Sequence, residues 1–99
     1  MFDKTKQTAT SATQLDNASV VVTHWRFKPG EATGWHRHAY PYVVVPLMDG
    51  RLRIVDREGT REVAMTVGAS YYRPTGIEHD VINAGPSDYA FIEIELKSA

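Results

Sequence analysis

Apolar residues recur along this chain at a period of two, in short runs broken at intervals of about 8–12 residues by glycine, proline or aspartate. No stretch carries them at helical spacing over three turns. "SVVVTHWRF" is β-branched and aromatic until Pro29-Gly30 stops it, and "YVVVPLMDGRLRIV" predicts two strands folded about Asp49-Gly50 as a tight hairpin. "REGTREVAMTVG" turns near Glu58-Gly59, and "ASYYRP", "TGIEHDVIN" and "YAFIEIEL" supply the remaining strands. In the last of these, Ile92, Ile94 and Leu96 alternate with Glu93 and Glu95, which predicts a buried isoleucine face and a wetted glutamate face. Pro46 has no N–H for a central ladder, so an edge position or a bulge is expected there. The whole pattern predicts an all-β sandwich or barrel.

Residues 1–17 are rich in Thr, Ser, Gln and charge and have little to bury; they predict a flexible N-terminal arm, with residues 18–99 as the folded domain. A chain of 99 residues suits one domain, and 42% hydrophobic with 23% charged residues is an ordinary globular composition. The formal net charge of −1, with no long Lys/Arg run, argues against a general nucleic-acid binder, which needs a basic face. There is no cysteine, so disulfides, thiolate metal sites and thiol nucleophiles are excluded together, and any metal must be held by nitrogen and oxygen. With no apolar leader and no run of membrane-spanning length, a cytoplasmic location without membrane association is expected.

Two of only four histidines stand one residue apart in "WHRH". On a strand His36 and His38 would share one face and aim at one point, as a chelator does, although an isolated pair of this kind is more often solvated on a hairpin. The third, His79, begins a strand after a Pro-x-Gly turn. Gly68, Pro74, Gly76, His79 and Asn83 spell G-x5-P-x-G-x2-H-x3-N without a gap, and Gly30, His36, His38 and Gly50 fit G-x5-H-x-H-x3–4-E-x6-G except at its carboxylate. Val43 occupies that position, with Tyr42 beside it.

These two motifs, in this order, resemble the signature of the cupin superfamily over about residues 19–96. The resemblance implies a double-stranded β-helix, the jelly-roll cupin barrel, with a metal in its mouth held by His36, His38 and His79. It leaves the ion open among Fe, Ni, Zn and Mn. Three neutral imidazoles would leave the charge of a divalent ion uncompensated, so a small anionic ligand is expected. Members with three histidines include Fe(II) dioxygenases, which implies oxygen chemistry. A metabolite-binding or sensing module, and a metal-assisted isomerase or lyase, are the alternatives. The chain also looks like small bacterial cupins that carry a β-alanine degradation label, and no catalytic residue is carried over from that likeness.

Around such a site Tyr42, Tyr72, Arg73 and Asn83 are the candidate substrate contacts. Arg73 could grip a carboxylate or pair with Glu78 or Asp80; Asn83 shares strand parity with His79 or bonds loop backbone. Parity allows only one of Tyr71 and Tyr72 to face inward, and Tyr40 is expected to pack. His24 is expected to decorate a sheet face. The apolar "SVVVTHWRF" would leave a hydrophobic edge, so a homodimer is expected.

Overall fold

The computed structural model describes residues 8–97, and these residues contain strands and turns and no helix. The strands are β1 (Thr10–Asp16), β2 (Val20–Phe27), β3 (His36–Arg37), β4 (Tyr42–Pro46), β5 (Gly50–Asp56), β6 (Gly59–Met65), β7 (Tyr71–Arg73), β8 (Glu78–Asn83) and β9 (Tyr89–Leu96). They form a five-stranded sheet ordered β1-β2-β9-β4-β7 and a four-stranded sheet ordered β3-β8-β5-β6, with every strand pair antiparallel. The two sheets face each other as a jelly roll and do not close into a barrel. No helix among the described residues is long and apolar enough to cross a membrane.

The core lies between the sheets and is built from Phe27, Tyr42, Val44, Leu52, Ile54, Met65, Val81, Tyr89 and Phe91. Phe27 stands at its centre, with ring centroids 5.5 Å from Phe91 and 6.4 Å from Tyr89. Alternation holds on β4, where Tyr42, Val44 and Pro46 are buried while Val43 and Val45 are half-buried on the opposite face.

Three expectations about the chain path change. The segment expected to be an arm contains β1, an exposed edge strand held to β2 by its backbone ladder, with a bulge between Thr13 and Leu15. Its polar side chains bury little, so composition did not reveal a strand. Second, Asp49-Gly50 is not a tight hairpin. β4 and β5 lie in different sheets, and Gly50 is not among the glycines with positive φ. Gly50 is small for another reason: a Cβ there would collide with the Tyr89 ring. The turn at Glu58-Gly59 does form a hairpin, joining β5 to β6 with Gly59 at φ 131°. Third, β4 is flanked by both β9 and β7, yet Pro46 fits because β7 pairs only with Tyr42, Val43 and Val44 and ends before it.

Candidate metal centre

β3 and β8 pair so that His36 stands directly opposite His79. The ladder runs on past β3: the His38 N–H donates to the Ile77 carbonyl at 2.8 Å, and the Gly76 N–H donates to the His38 carbonyl at 2.9 Å. His38, two residues beyond His36, therefore falls on the same face. The three imidazoles converge through their Nε2 atoms, 2.9 Å apart for His36 and His38 and 3.2 Å for His38 and His79. Their rings meet edge to face, at interplanar angles of 68° to 86°.

The surrounding groups fix how each ring is presented. Gly34, at φ 86°, turns its carbonyl toward His36, which donates to it through Nδ1 at 2.8 Å and so keeps a lone pair on Nε2. The Gly34 N–H in turn donates to the Asp80 carboxylate at 3.0 Å. His38 stacks on Tyr42 with ring centroids 3.8 Å apart. Burial, reinforced by the neighbouring histidines, lowers the His38 pKa to about 4 and that of His79 to about 3, so both rings are neutral at pH 7. Nδ1 of His79 is buried without a hydrogen-bond partner.

This donor set fits a metal ion. Two nitrogens each about 2.1 Å from an ion and at right angles to one another lie about 3.0 Å apart. The observed 2.9 and 3.2 Å match that spacing. Two neutral imidazoles at such a distance otherwise satisfy each other poorly, because one lone pair can accept only if the opposing nitrogen carries a proton.

The cluster opens on a cavity of about 360 Å³ whose walls include Val44, Leu52, Ile54, Val81 and Phe91, with Tyr42, Tyr71, Arg73 and Glu93 among its polar groups together with Arg61, which pairs with Asp56. The glutamate is the residue that sequence reading misplaced. β9 points Tyr89, Phe91, Glu93 and Glu95 to the inner side, where register pairs Glu93 with Val44, and turns Ile92, Ile94 and Leu96 outward. The expected isoleucine core and glutamate surface are thus exchanged. Glu93 is 12% exposed, its Oε2 lies 4.0 Å from Nε2 of His38, and burial with the nearby Glu95 charge pushes its carboxyl up to about 7. Val43, at the motif's carboxylate position, belongs to the outer face with Ile94 and Tyr72. The inner face receives its carboxylate from β9 instead.

The other candidates separate. Tyr42 and Arg73 line the cavity, opposite one another in the β4–β7 register. Tyr71 shares their face, whereas Tyr72 pairs with Val43 and is 59% exposed while also bordering the cavity, so by strand parity the inward tyrosine of the pair is Tyr71. Asn83 is buried and stands outside the cavity lining. Its Nδ2 donates to the Phe27 and Ser87 carbonyls at 3.2 and 2.8 Å, and its Oδ1 accepts from the Gly85 N–H at 3.0 Å, so the side chain is spent on tying loops together. Glu78 pairs with Arg57 rather than Arg73. His24 pairs with Ile92 on the outer face, away from the cluster.

Two facing antiparallel sheets with three histidines converging at a cavity, at a spacing that would suit a metal ion, define a jelly-roll protein. The chain belongs to the cupin domain family, which it matches over residues 23–95. It is 49% identical over 89 residues to the beta-alanine degradation protein BauB of Pseudomonas aeruginosa, covering 90% of this chain and 94% of that one. It is also similar to the crystal structure of a cupin domain from Bordetella pertussis Tohama I, at 47% identity and TM-score 0.91, covering 94% of this chain and 97% of that one. An RmlC-like cupin family protein of Methanocaldococcus jannaschii, with a double-stranded beta-helix fold, shares the fold at 13% identity and TM-score 0.75, covering 97% and 86%.

Proposed function

We propose that this protein binds a divalent metal through His36, His38 and His79 and uses it on a small organic carboxylate held in the adjoining cavity. The observation that carries the reading is the convergence of three Nε2 atoms at metal-ligand spacing on the wall of a cavity that also holds Arg73. A bound ion would supply Lewis acidity and, as Fe(II), redox chemistry with dioxygen; Ni, Zn and Mn suit the same nitrogens. Arg73 presents a planar guanidinium to a carboxylate. The aliphatic and aromatic walls exclude water, which strengthens every charge interaction inside. Tyr42 holds the His38 ring by stacking.

Dioxygenase chemistry follows from the resemblance to three-histidine cupins. A second reading, an isomerase or lyase, is favoured by one specific observation: a carboxyl titrating near 7 beside the cluster is suited to take and return a proton at neutral pH. A binding module would use the same cavity without turnover. Trials with metal-loaded protein and short carboxylates separate the three. Oxygen uptake that tracks substrate loss supports the dioxygenase, substrate loss under anaerobic conditions the lyase or isomerase, and binding without loss the module; no binding of any carboxylate contradicts the proposal.

The same reading includes a homodimer and a cytoplasmic setting. The outer face of the five-stranded sheet brings together Val22, Ile94 and Val43 in one row and Ile92 and Val45 in the next, an apolar surface of the kind that pairs with a second copy. Sedimentation at micromolar concentration should show twice the monomer mass, and a monomer alone would contradict the dimer.

A further inference from the structure

Cross-strand register arranges the inner face of the five-stranded sheet as rows. Arg73 of β7, Tyr42 of β4 and Glu95 of β9 form one row; Tyr71, Val44 and Glu93 form the next. With strands about 4.8 Å apart and residues i and i+2 about 6.6 Å apart, the backbones of Arg73 and Glu93 stand roughly 12 Å from each other on one wall. Both side chains reach the same cavity, and among the described residues no ion pair joins them. The same two rings sense both charges: Tyr42 and Tyr71 are each acted on by the Glu93 carboxylate and by the Arg73 guanidinium. Arg73 and Arg61 both act on His79, while Glu93 lies beside His38, so both ends border the histidine cluster.

A cavity built to bind a simple carboxylate needs the arginine and gains nothing from a desolvated glutamate, which repels that ligand and is costly to bury. A ligand that brings its own hydrogen-bond donor changes this balance, because the carboxylate, which accepts from Trp25, has lone pairs left for a second donor. We propose that the cavity selects short carboxylic acids carrying a hydroxyl or amino group a few bonds from the carboxylate, with the carboxylate on Arg73 and the donor on Glu93. This rests on the reading of the cavity as the substrate site and narrows its ligand class from anions in general to bifunctional acids.

The two ends differ in what they discriminate. Arg73 grips every member of the class, so its loss weakens them all. Glu93 senses only the donor, so its loss removes the difference between acids with and without one. A hydroxyl needs only an acceptor, whereas an ammonium also benefits from the carboxylate charge.

The test is calorimetric titration of protein loaded with Ni(II), its metal content measured for each variant, with propionate, 3-hydroxypropionate and β-alanine. The expected result is that at least one donor-bearing acid binds about tenfold or more tightly than propionate. In Glu93→Met that gap closes, and in Arg73→Met all three acids weaken together. Glu93→Gln keeps an acceptor without its charge, so it retains the gap for 3-hydroxypropionate if the hydroxy acid is the ligand and loses it for β-alanine if the amino acid is. Propionate binding as tightly as both others overturns the proposal while leaving the carboxylate site standing. A gap that survives in Glu93→Met overturns the role of Glu93. If the parent retains no Ni(II), the metal reading fails separately, and the same titration of metal-free protein still reads the gap.

Discussion

Replacing Glu93 by glutamine should make the metal-free protein more stable, although it removes a charged group from the site. Glu93 is 12% exposed and its carboxyl titrates near 7 rather than at its ordinary 4.5, chiefly because burial disfavours the ionised form. Between those two pH values the folded protein holds a proton that the unfolded chain has lost, so stability falls as pH rises through the window and levels off above it. The full difference amounts to about 3 kcal/mol at pH 8. The amide introduced by Glu93→Gln keeps an oxygen for the hydrogen bond from Trp25 and carries no charge to desolvate. In a domain of this size a gain of about 3 kcal/mol raises the melting temperature by roughly 10–20 °C. The assay is thermal unfolding of chelator-treated parent and Glu93→Gln from pH 4 to pH 8. The two curves should nearly coincide at pH 4 and separate progressively up to pH 7. A variant no more stable at pH 8 than at pH 4, relative to the parent, would refute the inward, desolvated placement of Glu93.

Other perturbations probe different parts of the account. Gly50→Ala should cost about 1–3 kcal/mol, read as a lowered denaturant midpoint, because the new Cβ meets the Tyr89 ring; an unchanged midpoint would contradict that contact. Metal-free protein, studied in the Glu93→Gln background to remove the opposing carboxylate slope, should lose stability as pH falls from 6.5 toward 4. The unfolded histidines protonate there while buried His38 and His79 stay neutral, and each contributes up to about 1.4 kcal/mol per pH unit. A flat profile in denaturant titrations would contradict their burial as neutral rings. Val43→Glu should leave metal affinity unchanged, since Val43 faces outward with Ile94; tighter binding in a competition titration would mean that the β4 parity is reversed.

The three histidines were legible because motif spacing fixes strand parity and register together, and His36 and His79 did fall opposite one another. Most of the strands were legible through alternation and turn residues, whereas β1 and the two-residue β3 were not. Alternation on β9 distinguishes two faces without saying which one meets the other sheet. The usual assignment puts isoleucine inside, and it failed because the inner side faces the cavity and histidine cluster that Glu93 borders while the outer side is apolar. The Asp49-Gly50 segment failed differently: Gly is needed there for space beside Tyr89, a long-range packing fact invisible to local turn chemistry. β1 is held by backbone ladder bonds rather than buried side chains, so a polar "TSATQLD" gave no hint of it. Asn83 obeys the motif, and its amide bonds three backbone partners, a loop-clamping role that the motif spacing alone does not reveal.

Metal content per chain bears most directly on the proposal that His36, His38 and His79 form one metal centre. Elemental analysis, after loading with a single divalent ion and removal of the excess, should find close to one ion per chain in the parent and in His24→Ala, whose imidazole lies on the outer face. His36→Ala and His79→Ala should each lose most of it. Full occupancy in His79→Ala, or none in the parent, would contradict a centre built on these three imidazoles.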